Sequence, residues 1–356
     1  MSQEQVIEIA GVKIALGEDL DQRVRAAMES GKYEEQETRA LAASLRPDDV
    51  VLELGTGIGL LSAYCAKRIG SDRVFTFEAN PELELRIRST YRLNGVCPRL
   101  EMCMLTDREG ERDFYLHKAF WASSASADAG AKRVVRVKAR PLNEQIRRIN
   151  PTILVMDVEG GEYELMQFID LHNISRVVAE IHERKLGREK ADWMIRKFYE
   201  AGFRINRELS EWEICCLDRQ PAAETGSHLS LEEFLEGKWR LSNHWTAACF
   251  EELSALLPSG CRYALVDDDQ WGSLQIVPNC TRVPFTENQG QYWGPPADDA
   301  AAMRELARMR AQGLQFLIFG PPAFWWLDFY AQFARHVRDT HQLIRHSERF
   351  VAFALR

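Results

Sequence analysis

The chain has 356 residues, of which 46% are apolar and 28% are charged, and its net charge is −8. This length and composition are typical of a globular protein with more than one domain, and the acidic balance argues against a nucleic-acid substrate because a basic surface is missing. The eight cysteines form no C-x-x-C pair, no secretion signal or bilayer-spanning run is recognisable, and we therefore expect a cytoplasmic protein with reduced thiols.

The first 220 residues predict alternating strands and helices. Residues 1–46 predict a lead-in made of a short hairpin and the helices 20–30 and 34–45. The elements predicted after the lead-in are strand 50–54, helix 60–69, strand 73–78, helix 81–94, strand 100–104, extended segments 112–116 and 133–139, helix 142–149, strand 152–157, helix 162–169, strand 176–181, helix 192–201 and strands 203–209 and 212–217. This alternation predicts an α/β fold with a mostly parallel sheet, covered on both faces and binding ligands at the carboxyl ends of its strands.

A glycine turn follows strand 50–54, and an acid closes strand 73–78. Residues 53–59 read E-L-G-T-G-I-G, and Glu78 is the acid. Glycines let the backbone approach a ligand closely, and a helix start can hold an anionic group. A carboxylate about 20 residues downstream can accept hydrogen bonds from ribose hydroxyls. The pattern predicts a ribose-containing ligand, with a glycine turn that only tightens the strand–helix corner as the alternative.

The spacing of the glycines indicates which ligand this is. A nicotinamide dinucleotide site would need G-x-G-x-x-G, but Leu60 occupies the last glycine position and the third glycine is Gly59. The resulting G-x-G-x-G, with Glu53 two residues ahead of it, resembles the first motif of S-adenosylmethionine-dependent methyltransferases. In such a site Glu53 would reach the ammonium group of the methionine portion through water.

Two later segments resemble signatures of FkbM-family methyltransferases. Residues 153–164 read I-L-V-M-D-V-E-G-G-E-Y-E, and residues 178–182 read V-A-E-I-H. Further family segments stand in the expected order after the glycine loop, namely E-A-N-P at 78–81, L-N-G at 93–95 and L-T-D at 105–107. The resemblance covers about residues 30–218. Met156 and Gly161 replace the Lys and Ala that are common in the family, and neither change removes a group that the chemistry needs.

The resemblance implies a Rossmann-like class I methyltransferase sheet and methyl transfer from S-adenosylmethionine to oxygen, often to a hydroxyl of a sugar, glycan or polyketide. Carried over by position, the cofactor-binding residues are Glu53, Gly55, Thr56, Gly57 and Gly59 for the methionine portion, Glu78, Ala79 and Asn80 for the ribose, and Cys103 and Met104 for the adenine.

Three side chains at or just past strand ends are the catalytic candidates, Asp157, Glu159 and His182. An alcohol is a weak nucleophile at neutral pH and needs a base to take its proton. We expect Asp157 or His182 to be that base and Glu159 to orient the acceptor. Cap or turn roles for the two carboxylates, and a structural role for His182, are the alternatives. No metal site is predicted.

Two segments are candidate covers of this site. Residues 120–126 (F-W-A-S-S-A-S) could close over the pocket and contact a sugar, although an ordinary serine-rich loop explains them equally well. Residues 31–34 (G-K-Y-E), with Glu37, could fold over the cofactor, but a solvated helix start is the favoured interpretation.

A second module follows a predicted linker. The predicted organisation is a lead-in over 1–46, an S-adenosylmethionine-binding domain over 47–219, a linker over 220–238 and a small α/β accessory domain over 239–356. No glycine-rich loop follows the first strand of this second domain, so no second nucleotide site is predicted. The acidic run 267–269 predicts a solvated turn, with a divalent-cation site as the alternative. Phe324, Trp325, Trp326 and Tyr330 predict a core stripe, with stacking on a sugar as the alternative. The segment resembles an accessory module found beside bacterial glycosyltransferases and glycan-modifying enzymes, which implies substrate or partner recognition.

The sequence thus predicts an S-adenosylmethionine-dependent O-methyltransferase acting on a hydroxyl of a sugar, glycan or secondary metabolite. The alternatives are an N- or carboxyl-methyltransferase and a non-catalytic cofactor-binding scaffold for the second module. The expected partner is a small-molecule or glycan acceptor, with no nucleic acid and no membrane span.

Overall fold

The protein divides into two compact units in its computed structural model, Met1–Gly237 and Lys238–Arg356. The residues that the structure describes are 5–17, 20, 22–116, 133–210, 214–219, 228–232, 244–268, 271 and 276–355. The segment 120–126, a predicted cover of the site, lies outside these residues. Among the described helices, none has the length and apolar character that crossing a bilayer requires.

The first unit alternates strands and helices as predicted. Its strands are β1 (Gln5–Ile9), β2 (Val12–Leu16), β3 (Val51–Leu54), β4 (Val74–Glu78), β5 (Arg99–Met102), β6 (Met104–Thr106), β7 (Gly110–Leu116), β8 (Arg133–Pro141), β9 (Ile153–Met156), β10 (Arg176–Glu180), β11 (Phe203–Ile205) and β12 (Ile214–Arg219). Its helices are α1 (Gln22–Glu29), α2 (Glu35–Ser44), α3 (Leu60–Ile69), α4 (Glu84–Asn94), α5 (Leu142–Ile149), α6 (Glu162–Met166), α7 (Glu183–Leu186) and α8 (Arg188–Glu200).

Seven strands of this unit form the central sheet, in the order β11-β12-β10-β9-β3-β4-β5. The strands from β10 to β5 are parallel, whereas β12 runs antiparallel to both of its neighbours. Every residue of β3 and β9 is buried, as expected for strands of a parallel sheet that is covered on both faces. The α/β class and the Rossmann-like class I methyltransferase sheet predicted from the sequence are therefore confirmed.

The parallel strands place the predicted site residues at one edge of the sheet. Gly55 follows β3, Glu78 ends β4, and Asp157 follows β9. Since β3 pairs in parallel with both β4 and β9, the carboxyl ends of all three strands lie side by side. Such an edge is where open α/β sheets bind their ligands.

The strand predicted over 100–104 is in fact two strands that belong to different sheets. β5 ends at Met102, which pairs with Glu78 of the central sheet. After Cys103 the chain turns, and Met104 pairs with Ala139 of β8 in a smaller sheet of order β6-β8-β7. The five residues 100–104, L-E-M-C-M, do not reveal where a strand changes its pairing partner.

The lead-in is part of the first unit's core rather than an appendage to it. Val12 and Ile14 of the β1–β2 hairpin belong to the same buried cluster as Leu60 and Tyr64 of α3. At the other end of the unit, Leu229 lies inside the predicted linker but is buried, and its N–H donates a hydrogen bond of 2.9 Å to the carbonyl of Ile205.

The second unit is a smaller α/β structure. Its strands are β13 (Arg262–Val266), β14 (Thr281–Pro284), β15 (Glu287–Asn288), β16 (Gln291–Tyr292), β17 (Phe316–Phe319), β18 (Gln342–His346) and β19 (Val351–Ala354). Its helices are α9 (His244–Leu256), α10 (Asp299–Ala311), α11 (Trp326–Phe329) and α12 (Ala331–Thr340). The main sheet has the order β14-β13-β17-β19-β18. The sequence predicts a loop up to residue 296 and so misses β14, β15 and β16. β14 lies at the edge of the main sheet and ends in Pro284, a residue that strand interiors exclude.

The acidic turn after β13 is not solvated, in contrast to the prediction. Asp267 is 1% exposed, and its Oδ2 accepts hydrogen bonds from the guanidinium of Arg282 and the backbone N–H of Trp271, each at 3.0 Å. The Asp268 carboxylate accepts hydrogen bonds from the indole N–H groups of Trp325 (2.7 Å) and Trp326 (3.0 Å). These acids find their donors on elements far away in the sequence, which a local pattern cannot indicate. Asp269 lies outside the described residues.

Candidate functional site

The glycine loop after β3 is held against the next parallel strand end. Gly55, Gly57 and Gly59 have positive φ angles of 84°, 55° and 84°, a conformation that glycine adopts without strain. A Cβ on Gly55 would lie only 1.7 Å from the carbonyl oxygen of Asp157. Gly55 is therefore required twice, for its backbone conformation and for this close approach.

Glu78 is bound to the glycine loop by backbone hydrogen bonds. One carboxylate oxygen accepts from the N–H groups of Thr56 and Gly57, both at 3.0 Å, and the other accepts from the N–H of Asn80 at 2.7 Å. Burial raises the pKa of Glu78 to about 7, although the three backbone hydrogen bonds oppose this shift. The end of β4 thus presents an acid beside the loop, as the sequence predicts for a ribose-binding carboxylate.

Three of the predicted methionine-binding residues make contacts on the side of the glycine loop that faces away from the cavity. Glu53 is 1% exposed and accepts a hydrogen bond from the hydroxyl of Thr76. Burial raises the pKa of Glu53 to about 8. The buried hydroxyl of Thr56 is hydrogen-bonded to that of Thr76, and a Cβ on Gly59 would lie 3.0 Å from the ring of Tyr91. None of Glu53, Thr56 and Gly59 lines the cavity above the loop.

A cavity of about 510 Å³ opens at this sheet edge. Among the residues that line it are seven of the predicted cofactor positions, namely Gly55, Gly57, Glu78, Ala79, Asn80, Cys103 and Met104. A second group comes from the small sheet and its connections, namely Leu105, Thr106, Asp107, Arg112, Asp113 and Phe114. A third follows β9 and includes Asp157, Val158, Glu159, Gly161 and Glu164. The structure therefore brings most predicted cofactor residues and two predicted catalytic residues into one cavity.

Asp157 presents a carboxylate oxygen without a hydrogen-bond partner. Its backbone N–H donates to the carbonyl of Leu54 at 2.9 Å, which fixes the start of the turn after β9. The Oδ1 atom is buried and accepts no hydrogen bond from any described residue. Burial raises the pKa of Asp157, and the nearby imidazole of His182 opposes this shift.

His182 lies behind Asp157 in a ring of carboxylates and is itself only 8% exposed. Its Nδ1 is 2.6 Å from Oε1 of the fully buried Glu162. Its Nε2 lies 3.3 Å from Glu159, 3.6 Å from Glu180 and 3.8 Å from Asp157. Burial lowers the pKa of His182, but the hydrogen bond to Glu162 and the surrounding negative charges outweigh burial and raise the pKa to about 11. His182 does not line the cavity.

Glu159 occupies an unusual backbone conformation at the cavity wall. Its φ is 54°, in the left-handed region that non-glycine residues rarely adopt. The carboxylate forms an ion pair with Lys185, while burial, followed by the charge of Asp157, raises its pKa to about 7. Such local strain is typical of residues at functional sites.

The sequence analysis does not name Glu162 and Glu180 as site residues. Both lie inside the two quoted signatures, but their proximity to His182 becomes apparent only when β9 and β10 are known to be neighbours in the sheet. Ligand atoms of Asp157, Glu180 and His182 lie within 4.8 Å of one another, an arrangement that could also gather around a divalent cation.

Tyr33 and Glu34 line the cavity, which corrects the preference for a solvated helix start. The G-K-Y-E segment at 31–34 contains both residues. The sequence does not show, however, that the turn between α1 and α2 reaches the cavity, because this depends on how the two helices pack.

Comparison with known proteins finds similarity over part of the chain. Residues 53–205 match the family model described as the methyltransferase FkbM domain. One relative, the AMB antimetabolite synthetase AmbE of Pseudomonas aeruginosa, is 33% identical over 150 residues, a stretch that is 40% of this chain but only 6% of that protein.

Solved structures that match include the precorrin-6y C5,15-methyltransferase of Geobacter metallireducens, with 14% identity, a TM-score of 0.33 and coverage of 54% of this chain and 79% of that one. Another is M. jannaschii TYW2 in complex with AdoMet, with 13% identity, a TM-score of 0.32 and coverage of 61% and 87%.

Proposed function

We propose that this chain is an S-adenosylmethionine-dependent methyltransferase and that its acceptor atom is a hydroxyl oxygen. The match of residues 53–205 to the methyltransferase FkbM domain supports methyl transfer. The acceptor we propose is a small molecule, a sugar or another secondary-metabolite alcohol. The observation that carries the proposal is the carboxylate of Asp157 in the cavity lining, whose buried Oδ1 atom has no hydrogen-bond partner among the described residues.

The cavity floor fits this cofactor. The space above Gly57 is kept open by the missing side chain, since a Cβ there would approach Tyr33 and Glu34 to 3.4 Å. Glu78 lies at the end of β4, where a carboxylate can accept hydrogen bonds from ribose hydroxyls. S-adenosylmethionine supplies an electrophilic methyl group on a sulfonium, so the protein has to align the acceptor and remove a proton.

Asp157 is the group that we assign as the base. A hydroxyl becomes a competent nucleophile when a positioned base takes its proton as the new O–C bond forms. The proton would pass from the acceptor hydroxyl to the carboxylate of Asp157, which lines the cavity and whose Oδ1 atom holds no hydrogen bond from the described residues. Burial raises the pKa of this carboxyl, which makes it a stronger base than a solvated aspartate.

His182 is better suited to holding Asp157 than to accepting a proton. Its pKa of about 11 means that the imidazole already carries its proton at neutral pH. The imidazolium charge lies 3.8 Å from Asp157 and is anchored on its other side by Glu162. We therefore assign His182 a positioning role, in which it fixes the carboxylate and compensates part of its charge.

The charges of the cavity favour an acceptor that is not an anion. Among the described residues that line it, Arg112 is the one cation, whereas the acids are Glu34, Glu78, Asp107, Asp113, Asp157, Glu159 and Glu164. A carboxylate or a nucleic-acid phosphate would find Arg112 as the one cation among the described lining residues, and this guanidinium already forms an ion pair with Asp107. A neutral polyol is compatible with this cavity lining. The name of the antimetabolite synthetase relative favours a small metabolite as the acceptor.

Replacing Asp157 by Asn tests the assignment of the base. The amide keeps the size of the side chain but cannot take a proton, so we expect turnover to fall at least about 100-fold. Affinity for S-adenosylhomocysteine, measured by calorimetry, should stay within a few-fold. Turnover is measured with a labelled methyl donor against a panel of alcohols, amines and carboxylates.

Asp113→Asn serves as the matched control, because this carboxylate also lines the cavity but lies on β7. It should change KM more than kcat. Full activity of Asp157→Asn would remove Asp157 from the mechanism, and labelling of amines alone would replace the hydroxyl acceptor. The assay is run with and without EDTA, because complete loss of activity in EDTA would assign Asp157 and its neighbours to a cation instead.

A further inference from the structure

The turn between α1 and α2 contributes a carboxylate to the cofactor end of the cavity. Tyr33 and Glu34 both line the cavity, although they precede the glycine loop by about 20 residues. A Cβ on Gly57 would lie 3.4 Å from Oε1 of Glu34 and 3.4 Å from the hydroxyl of Tyr33. The two side chains therefore stand directly over the loop.

The backbone of this turn is fixed by its own hydrogen bonds. The N–H groups of Lys32 and Tyr33 both donate to the carbonyl of Ala27, at 2.9 and 3.2 Å. The carbonyl of Glu34 accepts from the N–H (3.0 Å) and the hydroxyl (2.6 Å) of Thr38. Glu34 itself has a φ of 49°, and a non-glycine residue in the left-handed region carries a strain of about 1 kcal/mol or more. This turn is held in a costly conformation that points Glu34 at the loop.

Among the described residues, none forms an ion pair with the carboxylate of Glu34. Its Oε2 atom is buried and has no hydrogen-bond partner among the described residues, and the Tyr33 hydroxyl is hydrogen-bonded to the carboxylate. Burial raises the pKa of Glu34, and the neighbouring charges that raise it further are those of Glu37, Asp157 and Glu53. A desolvated acid surrounded by other acids is stabilised when a cation arrives.

The sequence assigns the ammonium group of the cofactor to Glu53, but the structure supplies a better placed acid. Glu53 lies beneath the loop, hydrogen-bonded to Thr76 and outside the cavity lining. Glu34 lies above the same loop and inside that lining.

We propose that Glu34 binds the α-ammonium group of the methionine portion of S-adenosylmethionine, with the Tyr33 hydroxyl holding the carboxylate in place. The inference rests on the cofactor and not on the nature of the acceptor, so it can fail while the proposed hydroxyl methylation stands.

Three ligands separate the possible roles of Glu34 in calorimetric titrations of the full chain without acceptor. S-adenosylmethionine carries both the ammonium and the sulfonium, S-adenosylhomocysteine carries only the ammonium, and 5′-methylthioadenosine carries neither. For Glu34→Gln we expect about 10- to 100-fold weaker binding of the first two ligands, the range expected for a lost hydrogen bond between charged groups. Binding of 5′-methylthioadenosine should stay within twofold of the unchanged protein.

Glu35→Gln is the matched control, because it removes the same charge from the adjacent residue, which is exposed and does not line the cavity. All three affinities should stay within twofold. Equal weakening of all three ligands by Glu34→Gln would overturn the proposal in favour of a structural role for the turn. Weakening of S-adenosylmethionine alone would reassign Glu34 to the sulfonium, and unchanged affinities would exclude any contact with the cofactor.

Tyr33→Phe provides a second test if Glu34→Gln does not fold. This change removes only the hydroxyl that is bonded to the carboxylate. It should weaken S-adenosylhomocysteine several-fold and leave 5′-methylthioadenosine unchanged. Identical losses for the two ligands would contradict the proposal.

Discussion

At the residue scale, the strictest requirement in the site lies on Gly55. Its φ of 84° is strained for any other residue, and its Cα lies so close to the Asp157 carbonyl that a methyl group would overlap it. The strain and the overlap are separable effects. Gly95 also has a positive φ, of 64°, but a Cβ there would meet nothing within 4 Å. Comparing a substitution at Gly55 with one at Gly95 therefore distinguishes backbone strain from steric exclusion.

We expect Gly55→Ala to abolish cofactor binding and to destabilise the first unit by more than about 4 kcal/mol, the range of exceptional substitutions. Gly95→Ala should cost only about 1 to 2 kcal/mol, because it introduces the left-handed strain alone. Urea denaturation followed by circular dichroism measures both values. Equal effects of the two substitutions would mean that the loop does not approach the carbonyl of Asp157.

At the element scale, a buried ion pair joins the amino-terminal ends of the central strands. Asp49, just ahead of β3, is 2% exposed and forms an ion pair with Arg176, the first residue of β10. The same carboxylate accepts hydrogen bonds of 2.7 Å from the backbone N–H of Arg46 and from the hydroxyl of Thr152. Arg176 also donates to the carbonyl of Ser44 at the end of α2. This ion pair therefore connects the carboxyl-terminal end of α2 with the amino-terminal ends of β3 and β10.

Removing either partner should leave an unpaired buried charge, which typically costs about 3 to 5 kcal/mol. We expect this loss for Arg176→Met and for Asp49→Asn, and a smaller loss for the double variant than the sum of the two. A double-mutant cycle from urea denaturation measures the coupling. Arg88→Met, in the exposed pair Arg88–Glu84, is the control and should cost less than about 1 kcal/mol. Additive losses at Asp49 and Arg176 would contradict the coupling.

Prediction from the sequence succeeds where an element carries its own local pattern. The mostly apolar segments V-L-E-L at 51–54 and I-L-V-M at 153–156 identify strands, and the parallel arrangement then brings Gly55, Glu78 and Asp157 together. It fails where the decisive partner is distant in the chain. Neither the place of Glu34 over the loop nor the burial of Asp267 beside Arg282 is visible in the residues that flank them.

At the scale of the whole molecule, the chain consists of two units that each have a core of their own. The core of the second unit includes Phe285, Phe319, Trp326 and Phe333, which are all fully buried. The division at residues 237 and 238 falls within the predicted linker. We propose that the second unit is an accessory domain that recognises the acceptor or a partner, as its resemblance to modules of glycan-modifying enzymes implies.

We expect residues 238–356 to fold in isolation, because the sheet β14-β13-β17-β19-β18 and its packed aromatic side chains lie entirely within this unit. The isolated fragment should show a single cooperative transition in urea. Phe333→Ala in the fragment is the control and should lose about 3 to 5 kcal/mol, the usual loss for a fully buried phenylalanine. A fragment without a cooperative transition would show that the second unit depends on the first.

The contact between Gly55 and the main chain of Asp157 bears on how such an enzyme can diversify. This contact is made by backbone atoms. The spacing between the glycine loop and Asp157 therefore does not depend on the identity of the surrounding side chains. The strand that supplies Arg112, Asp113 and Phe114 to the cavity takes no part in that contact. Under the proposed roles, substitutions on that strand can alter which acceptor is bound while the glycine loop keeps its distance from Asp157, the proposed base.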